Sequence, residues 1–210
     1  MSRAYRWGMN EGLRAELLGR AEKDQLARRA LDPGAVAEVD GENLPWLKDL
    51  VAEFGWPGAS LVGTDGAHAA WLLAQHADTD PAFQRRCLDL MAAAVEAGEA
   101  TATELAYLTD RVLLAEGQPQ VYGTQLLRRE GHYVPKKLGD PEGVDQRRAA
   151  VGLEPVAEYQ RRFDQELGPG SLLKCPGCGR WVPFERPEGG KAFTITCAAC
   201  GHEATIRPFR

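Results

Sequence analysis

The sequence lacks any long hydrophobic run. No stretch of about 18 consecutive apolar residues occurs, which argues against helices that cross a membrane. Residues 1–7 also lack the apolar segment of a secretory signal peptide. We therefore expect a cytoplasmic protein without a membrane partner.

Signatures of two common enzyme classes are also missing. The chain has no glycine-rich phosphate loop and no Gly-x-Ser-x-Gly nucleophile elbow. It contains no internal repeat and no low-complexity block. These absences argue against phosphate-loop nucleotide hydrolysis, serine-elbow hydrolysis and repeat architectures.

The chain has no excess of positive charge. Its formal net charge is -5, which argues against a protein that binds nucleic acid with its whole surface. The charge is uneven, because six basic residues accompany three acidic ones from Ser171 onward, leaving -8 on the rest. The C-terminal tail therefore has its own electrostatics.

Helical periodicity dominates the first four fifths of the sequence. With 210 residues and 44% hydrophobic content, the chain has room for one ordinary domain and a small appendage. Residues 65–78 are apolar on nearly every side and predict a central helix that other elements surround. Capping residues and apolar stripes predict further helices over residues 10–31, from 43–45 to 54, 81–98, 101–116, 140–152 and 154–167.

A polar, β-tolerant segment interrupts this pattern. Residues 118–125 predict a strand or an ordered loop, with residues 131–135 as a partner in a short hairpin. The fold class predicted is mainly α, with six to seven helices, a short β segment and a small C-terminal β module. We expect a helical core over residues 1–168, with residues 1–9 loose, and a second domain over 171–210 after the linker Gly168-Pro169-Gly170.

Four of the five cysteines form two Cys-x-x-Cys pairs. Eighteen residues separate the pairs, which is typical of a four-cysteine zinc ribbon, and the reducing cytoplasm disfavours disulfides. Four thiolates fill a tetrahedral ion, so we expect one structural zinc per chain rather than a catalytic one. A redox dithiol and an iron–sulfur site are the alternatives. The predicted ligands are Cys175, Cys178, Cys197 and Cys200.

Several charged residues occupy positions where a structural helix would carry apolar ones. At about 100° per residue, Asp24 and Arg28 fall within the apolar stripe of the first helix. They form either an i,i+4 ion pair at the stripe's edge or two charges directed into a cavity. Asp110, flanked by apolar residues, must be paired, hydrogen-bonded or neutral. Its neighbour Arg111 points about 100° away and need not be the partner.

Several short motifs between Leu13 and Phe163 contain the misplaced polar residues. They are Asp24-Gln25-x-x-Arg28, Gly55-Trp56-Pro57, Gln75-His76-Ala77-Asp78, Asp110-Arg111, Gln120-Val121-Tyr122-Gly123-Thr124-Gln125, Arg147-Arg148 and Gly152-Leu153 with Tyr159. In these motifs the chain resembles an uncharacterised bacterial family of domains of unknown function. The resemblance implies no activity, cofactor or mechanism, and the cysteine ribbon does not belong to the usual family pattern.

The first functional hypothesis is an enzyme or a small-ligand binder. His76 would act as general base or acid, with Asp110 or Asp78 setting its tautomer, in hydrolysis or group transfer on a polar or anionic molecule. A catalytic metal held by His76 and Asp78 is a weaker variant. The hypothesis requires His76, Asp110 and Gln125 to border one solvent-reachable cavity. The predicted site residues are His76, Asp78, Asp110, Asp24, Arg28, Tyr122 and Gln125.

The second hypothesis is a scaffold without catalytic activity. Its buried polar residues would form structural networks, and its zinc ribbon would bind a protein partner. Nucleic acid is the less favoured partner, suggested by basic residues that alternate with aromatic ones in Arg180-Trp181, Phe184-Glu185-Arg186 and Arg207-Pro208-Phe209-Arg210. A sealed core would favour this second hypothesis.

Overall fold

The computed structural model describes residues 8–30, 32–129, 132–167, 171–184 and 193–206. Residues 1–7, predicted to be part of a loose arm, and the linker 168–170 lie outside the described residues. Within the described part of the chain, every helix is too short or too polar to cross a bilayer.

Seven helices make up most of the described chain, as the sequence predicts. Each of the first five except α3 begins at a side chain that caps its first free amides, as when Asp80 accepts a hydrogen bond from the Phe83 amide. The helices are α1 (Glu11–Arg29), α2 (Pro33–Phe54), α3 (Ala59–Gln75), α4 (Pro81–Glu96), α5 (Ala102–Ala115), α6 (Val144–Ala150) and α7 (Val156–Leu167).

Helix α3 is the centre of the core, which confirms the central helix predicted from its sequence. It contacts α1, α2, α4 and α5. Small side chains such as Ala70 and Ala74 let these neighbours approach closely, and both are completely buried. Leu17 of α1 and Leu47 of α2 are also fully enclosed, and each contributes about 2 kcal/mol by leaving water.

The backbone leaves the helical conformation once within α3, at Gly63. Its φ of 74° is one that side-chain-bearing residues rarely adopt, so glycine permits the break. The uninterrupted part of the helix therefore begins next to Thr64 and Asp65, as predicted.

Helix α2 differs from the sequence prediction. The segment Asp32-Pro33-Gly34, which falls between the first two predicted helices, starts the helix, because Asp32 accepts hydrogen bonds from the Gly34 and Ala35 amides. Pro45, expected at a helix start, lies inside the helix at the cost of one backbone hydrogen bond. The helix is therefore 22 residues long, and Asn43 lies in its buried face rather than at a cap.

The described strands form three two-stranded sheets. The hairpin predicted between residues 118–125 and 131–135 does not form, because His132–Pro135 pairs with Leu126–Arg129 instead. Residues 118–125 are an ordered loop with one isolated bridge, from Gln120 to Leu138. The strands are β1 (Leu126–Arg129), β2 (His132–Pro135), β3 (Ser171–Lys174), β4 (Trp181–Phe184), β5 (Phe193–Thr196) and β6 (Glu203–Ile206), with β3 antiparallel to β4 and β5 to β6.

The described residues form two compact units. The first comprises those within Met1–Gln125 and Pro135–Glu154, and the second those within Leu126–Val134 and Pro155–Arg210. In the second unit, Asp164 of α7 accepts a hydrogen bond from the Tyr133 amide at 2.9 Å, and Phe163 packs against Tyr133 and Tyr159. The predicted domain boundary near residues 168–171 stays a prediction.

Candidate functional site

His76 ends α3, and its imidazole lies against α1. Its Nδ1 atom is 2.9 Å from Oδ1 of Asp24, whose side chain is fully buried. Nε of Arg28 is 3.1 Å from the same oxygen and 2.9 Å from His76 Nδ1. Asp24 and Arg28 are one helical turn apart, so both reach the ring from the same face of α1.

Nδ1 of His76 lies between one donor and one acceptor. The Arg28 Nε–H can only donate, and Asp24 can only accept when ionised. With a hydrogen on Nδ1, the ring donates to Asp24 Oδ1; without it, Nδ1 accepts from Arg28 while its lone pair also faces Oδ1 at 2.9 Å. The hydrogen bonds that described residues make to the ring all use Nδ1, so Nε2 remains available for chemistry.

The Asp24 carboxylate is held ionised by its neighbours. Burial, the largest single influence, would raise the pKa of Asp24, but the hydrogen bond and charge of His76, the hydrogen bond from Gln25 and the charge of Arg28 together hold it below its ordinary value. Arg28 also donates to Oδ1 of Asp40 on α2 at 2.5 Å. One guanidinium therefore links two carboxylates beside the imidazole.

A small hollow adjoins this cluster. It has a volume of about 10 Å³ and is lined by polar groups of Asp24, Asp40, Asn43 and His76, together with three apolar side chains. Asn43 is 7% exposed, and its Nδ2 atom has no hydrogen-bond partner among the described residues. A volume of this size fits one water molecule.

Asp78 belongs to a second cluster. Arg111 donates to both of its carboxylate oxygens, at 2.8 and 2.6 Å, and Gln84 donates to Oδ1 at 3.1 Å. Partial burial would raise the pKa of Asp78, but these hydrogen bonds and the charge of Arg111 hold it below its ordinary value. The bidentate pair joins α5 to the turn after α3.

Asp110 is completely sealed. Its carboxylate accepts four hydrogen bonds, from the amides of Val121, Tyr122 and Thr124 and from the Thr124 hydroxyl, at 2.8–3.0 Å. The side chain is 0% exposed. Arg111 takes no part, as its helical position predicts. The carboxylate thus serves as an anchor for the loop over residues 121–124.

The remaining predicted residues, Tyr122 and Gln125, lie in the loop that Asp110 anchors. The Tyr122 amide donates to Asp110, and the Tyr122 carbonyl accepts from Nη1 of Arg148. Both hydrogen bonds therefore use backbone atoms of Tyr122. Gln125 accepts from Arg111 at 3.2 Å and donates to the Thr124 hydroxyl at 3.3 Å. A continuous chain of hydrogen bonds therefore runs from Asp78 to Asp110.

The predicted site residues thus fall into two groups. Asp24, Arg28 and His76 form one, which we call the imidazole cluster together with Asp40; Asp78, Asp110, Tyr122 and Gln125 belong to the other. Because Asp110 is sealed, it does not share a solvent-reachable cavity with His76 and Gln125. The carboxylate that contacts the imidazole is that of Asp24, whereas Asp78 or Asp110 was expected.

Sequence reasoning missed four participants. Asp40 and Asn43 lie on α2, and no pattern within that helix reveals that they meet α1 and α3. Gln84 bonds to the Ala74 and Gln75 carbonyls as well as to Asp78. Arg111 belongs to the Asp110-Arg111 motif, but only the tertiary structure shows that it pairs with Asp78.

The four paired cysteines converge in the second unit. Sγ of Cys175 lies 3.6 Å from Sγ of Cys200, and Sγ of Cys178 lies 3.7 Å from that of Cys197. A disulfide would bring two sulfurs to about 2.05 Å, whereas about 3.8 Å separates ligands in a tetrahedron with metal–sulfur bonds of about 2.3 Å. The four thiols are therefore placed to bind a metal ion.

Backbone amides favour thiolates at this centre. Hydrogen bonds from the amides of Ala199 and Cys200 lower the pKa of Cys197 to about 7. The His202 amide also favours the Cys200 thiolate, yet the crowding of the neighbouring thiols raises the pKa of Cys200 to about 12. Four thiolates so close together need a cation to neutralise them, which fits a metal centre.

Comparison with known families separates the hydrogen-bonded clusters from the four cysteines. The model of a family of unknown function, DUF6624, matches residues 12–170. The chain belongs to the DUF6624 family. The match contains both hydrogen-bonded clusters and ends before Cys175, so the four clustered cysteines lie outside the DUF6624 region. No curated protein and no solved structure matches the chain significantly.

Proposed function

We propose that the DUF6624 region is an acid–base enzyme, a hydrolase or a transferase, that acts on a small polar or anionic molecule through His76. The observation that carries the proposal is the 2.9 Å hydrogen bond between His76 Nδ1 and the buried Asp24 carboxylate. With the hydrogen on Nδ1, that bond orients the ring, leaves Nε2 as the basic nitrogen and stabilises the imidazolium formed when Nε2 takes a proton. The side chain of His76 is 15% exposed, which gives a reactant some access.

The hollow beside the ring favours hydrolysis over transfer. A water held there would lie next to His76, with the unpartnered Nδ2 of Asn43 as a donor to its oxygen. His76 Nε2 would accept one proton of the water while its oxygen bonds to the electrophilic atom of the substrate. The same proton would then pass to the leaving group, so the ring returns to its starting state.

A groove between α1 and α2 supplies a place for the substrate. It has a volume of about 130 Å³, shares Asn43 with the hollow and is lined by Arg20 and Lys23 as well as Glu16 and Glu42. These charges favour a small polar molecule over an apolar one. Asn43 borders both spaces, so a substrate in the groove would lie next to the water in the hollow.

For the cysteine centre we propose one structural zinc per chain. Four thiolates complete the tetrahedron that zinc prefers, which leaves no coordination position to activate water. The ion would therefore hold β3–β6 together rather than take part in the reaction. The ribbon also offers a surface for a protein partner.

The experiment is a hydrolysis assay with the full chain on p-nitrophenyl acetate, p-nitrophenyl phosphate and similar small activated esters. We expect His76→Asn to lower the rate on any accepted ester by at least about 100-fold. The matched control is His68→Asn, because His68 also pairs with a carboxylate, Glu104, but lies exposed on the surface. Added imidazole should restore part of the His76→Asn rate.

A second measurement keeps the proposal testable if no ester is accepted. Nitrogen-15 shifts of the His76 ring report which nitrogen carries the hydrogen in the neutral form. We expect the hydrogen on Nδ1, and a hydrogen on Nε2 would overturn the proposal. Equal rates for His76→Asn and His68→Asn would do the same.

The second candidate is a scaffold without catalysis, and the Asp110 cluster favours it. All four hydrogen bonds to that carboxylate come from the loop over residues 121–124, so the carboxylate has no position left to accept from a ligand. The scaffold would use the ribbon to bind a protein or, less favoured, nucleic acid; Arg186 and residues 207–210 lie outside the described residues. Anisotropy of labelled single-stranded oligonucleotides with the full chain separates these two partners.

A further inference from the structure

A large cavity in the first unit lies away from the imidazole cluster. It has a volume of about 820 Å³, within the range of about 300–1,000 Å³ that is typical of small-molecule sites. The last turn of α2, the first turn of α3 and the last turn of α4 line it. Trp56 of the Gly55-Trp56-Pro57 motif lines it, but the proposed function does not account for this cavity.

The side chains around the cavity carry negative charge and aromatic rings. Glu53 and Glu99 line it, with Phe54 and Trp56, and no basic side chain occurs among its described lining residues. A carboxylate attracts a cation, and an aromatic face attracts it further when water is excluded. The lining therefore selects for a ligand that combines positive charge with an apolar body.

The helix ends add to the negative potential. The C-terminal ends of α2 and α4 both reach the cavity, and neither helix has a basic residue in its last turn. A helix C-terminus carries about half a negative charge, so two such ends favour a cation. The N-terminus of α3 is the opposing contribution, and Glu99 offsets it by accepting from the Ser60 amide at 2.7 Å.

Glu99 is held in a fixed orientation. The Ser60 hydroxyl donates to its other carboxylate oxygen at 2.5 Å, and a Cβ on Gly58 would lie 2.6 Å from Cβ of Glu99. Glycine at position 58 therefore permits this close packing. Each carboxylate oxygen keeps a second lone pair, so Glu99 can still accept from a ligand.

We propose that this cavity binds a small organic ammonium ion with an aromatic or aliphatic body. The ammonium group would lie between Glu53 and Glu99, and the apolar body would pack on Phe54 and Trp56. The site goes beyond the proposed function and does not depend on it, because it shares no residue with the imidazole cluster.

The test compares three probes of similar shape on the full chain by calorimetry and indole fluorescence. They are 2-phenylethylamine, the neutral 2-phenylethanol and the anionic 3-phenylpropanoate. We expect the amine to bind about tenfold more tightly than the alcohol and the carboxylate to bind least. Added salt should weaken binding of the amine and leave binding of the alcohol unchanged.

Variants then locate the site. Glu53→Gln should lower the affinity for the amine about fivefold. Glu38→Gln, at an exposed position on the same helix, should leave that affinity unchanged. Phe54→Leu keeps an apolar side chain but removes the ring, and should weaken the amine more than the alcohol. His76→Asn should leave amine binding unchanged, which separates this site from the proposed enzyme.

Several results would overturn the proposal. These are no binding of the amine, equal binding of amine and alcohol, or the same affinity for Glu53→Gln and Glu38→Gln. Circular dichroism and thermal unfolding of each variant verify that the fold is kept, so a loss of affinity reports on the site.

Discussion

The Nδ1 atom of His76 and the Oδ1 atom of Asp24 are 2.9 Å apart, although 52 residues separate them in sequence. The pair joins the end of α3 to the middle of α1, and Arg28 completes it. It is both a contact between two core helices and the arrangement that prepares an imidazole for proton transfer. Removing either partner therefore affects stability and chemistry together.

Asp24→Asn should destabilise the fold by about 2 kcal/mol. The amide is nearly the same size, but its NH2 group faces donors from His76 and Arg28, and a buried donor left without an acceptor is costly. Urea unfolding followed by circular dichroism measures the change. Asp49→Asn, on the exposed face of α2, is the control, and equal midpoints for the two variants would contradict the prediction.

Acid should weaken the fold through Asp24 and Asp78. Both carboxyls have a pKa below the ordinary value of 3.8, so the folded state binds fewer protons than the unfolded one in that range. Their stabilisation is complete above about pH 5 and is lost as the pH falls through their lowered folded pKa values. Asp78→Asn should therefore flatten the acid limb of a plot of unfolding free energy against pH. A limb as steep as that of the unmodified protein would exclude this contribution.

Asp110→Asn should destabilise the protein by about 3 kcal/mol and loosen one loop. The new amide can accept fewer of the four hydrogen bonds that come from residues 121–124, and its NH2 group faces donors in a sealed site. Hydrogen exchange should speed up at the amides of Val121, Tyr122 and Thr124. Asp89→Asn on the exposed face of α4 provides the comparison, and unchanged exchange in the loop would count against the anchoring role.

Metal analysis of the purified protein should find about one zinc per chain. Cys178→Ser should remove most of it and unfold the strands around it, because binding energy at a structural site is also folding energy. Cys87→Ala is the control and should keep the zinc, since Cys87 is buried in α4 and burial raises the pKa of its thiol to about 12. A folded ribbon without metal would refute the assignment.

The helices that the sequence predicted correctly are those with strong local signals. Asp80 before Pro81 and Thr101 before Glu104 mark the starts of the helices predicted from residues 81 and 101, because a capping side chain bonds to amides only two or three residues away. The same reasoning placed the start of α2 wrongly. Asp32-Pro33-Gly34 and Asn43-Leu44-Pro45 both resemble helix starts, and packing of Leu47, Leu50 and Val51 against α3 keeps one long helix despite Pro45.

What the sequence alone determined was therefore local or periodic: the apolar stripes, the caps, the four cysteines at ribbon spacing and the polar residues that break the apolar pattern. The tertiary structure decided which of those polar residues meet. It paired His76 with Asp24, directed Asp110 to its own loop and brought Asp40 and Asn43 beside the imidazole. Helical spacing states which side of a helix a residue lies on, but hydrogen bonds between helices depend on how those helices pack, and no single-helix pattern contains that information.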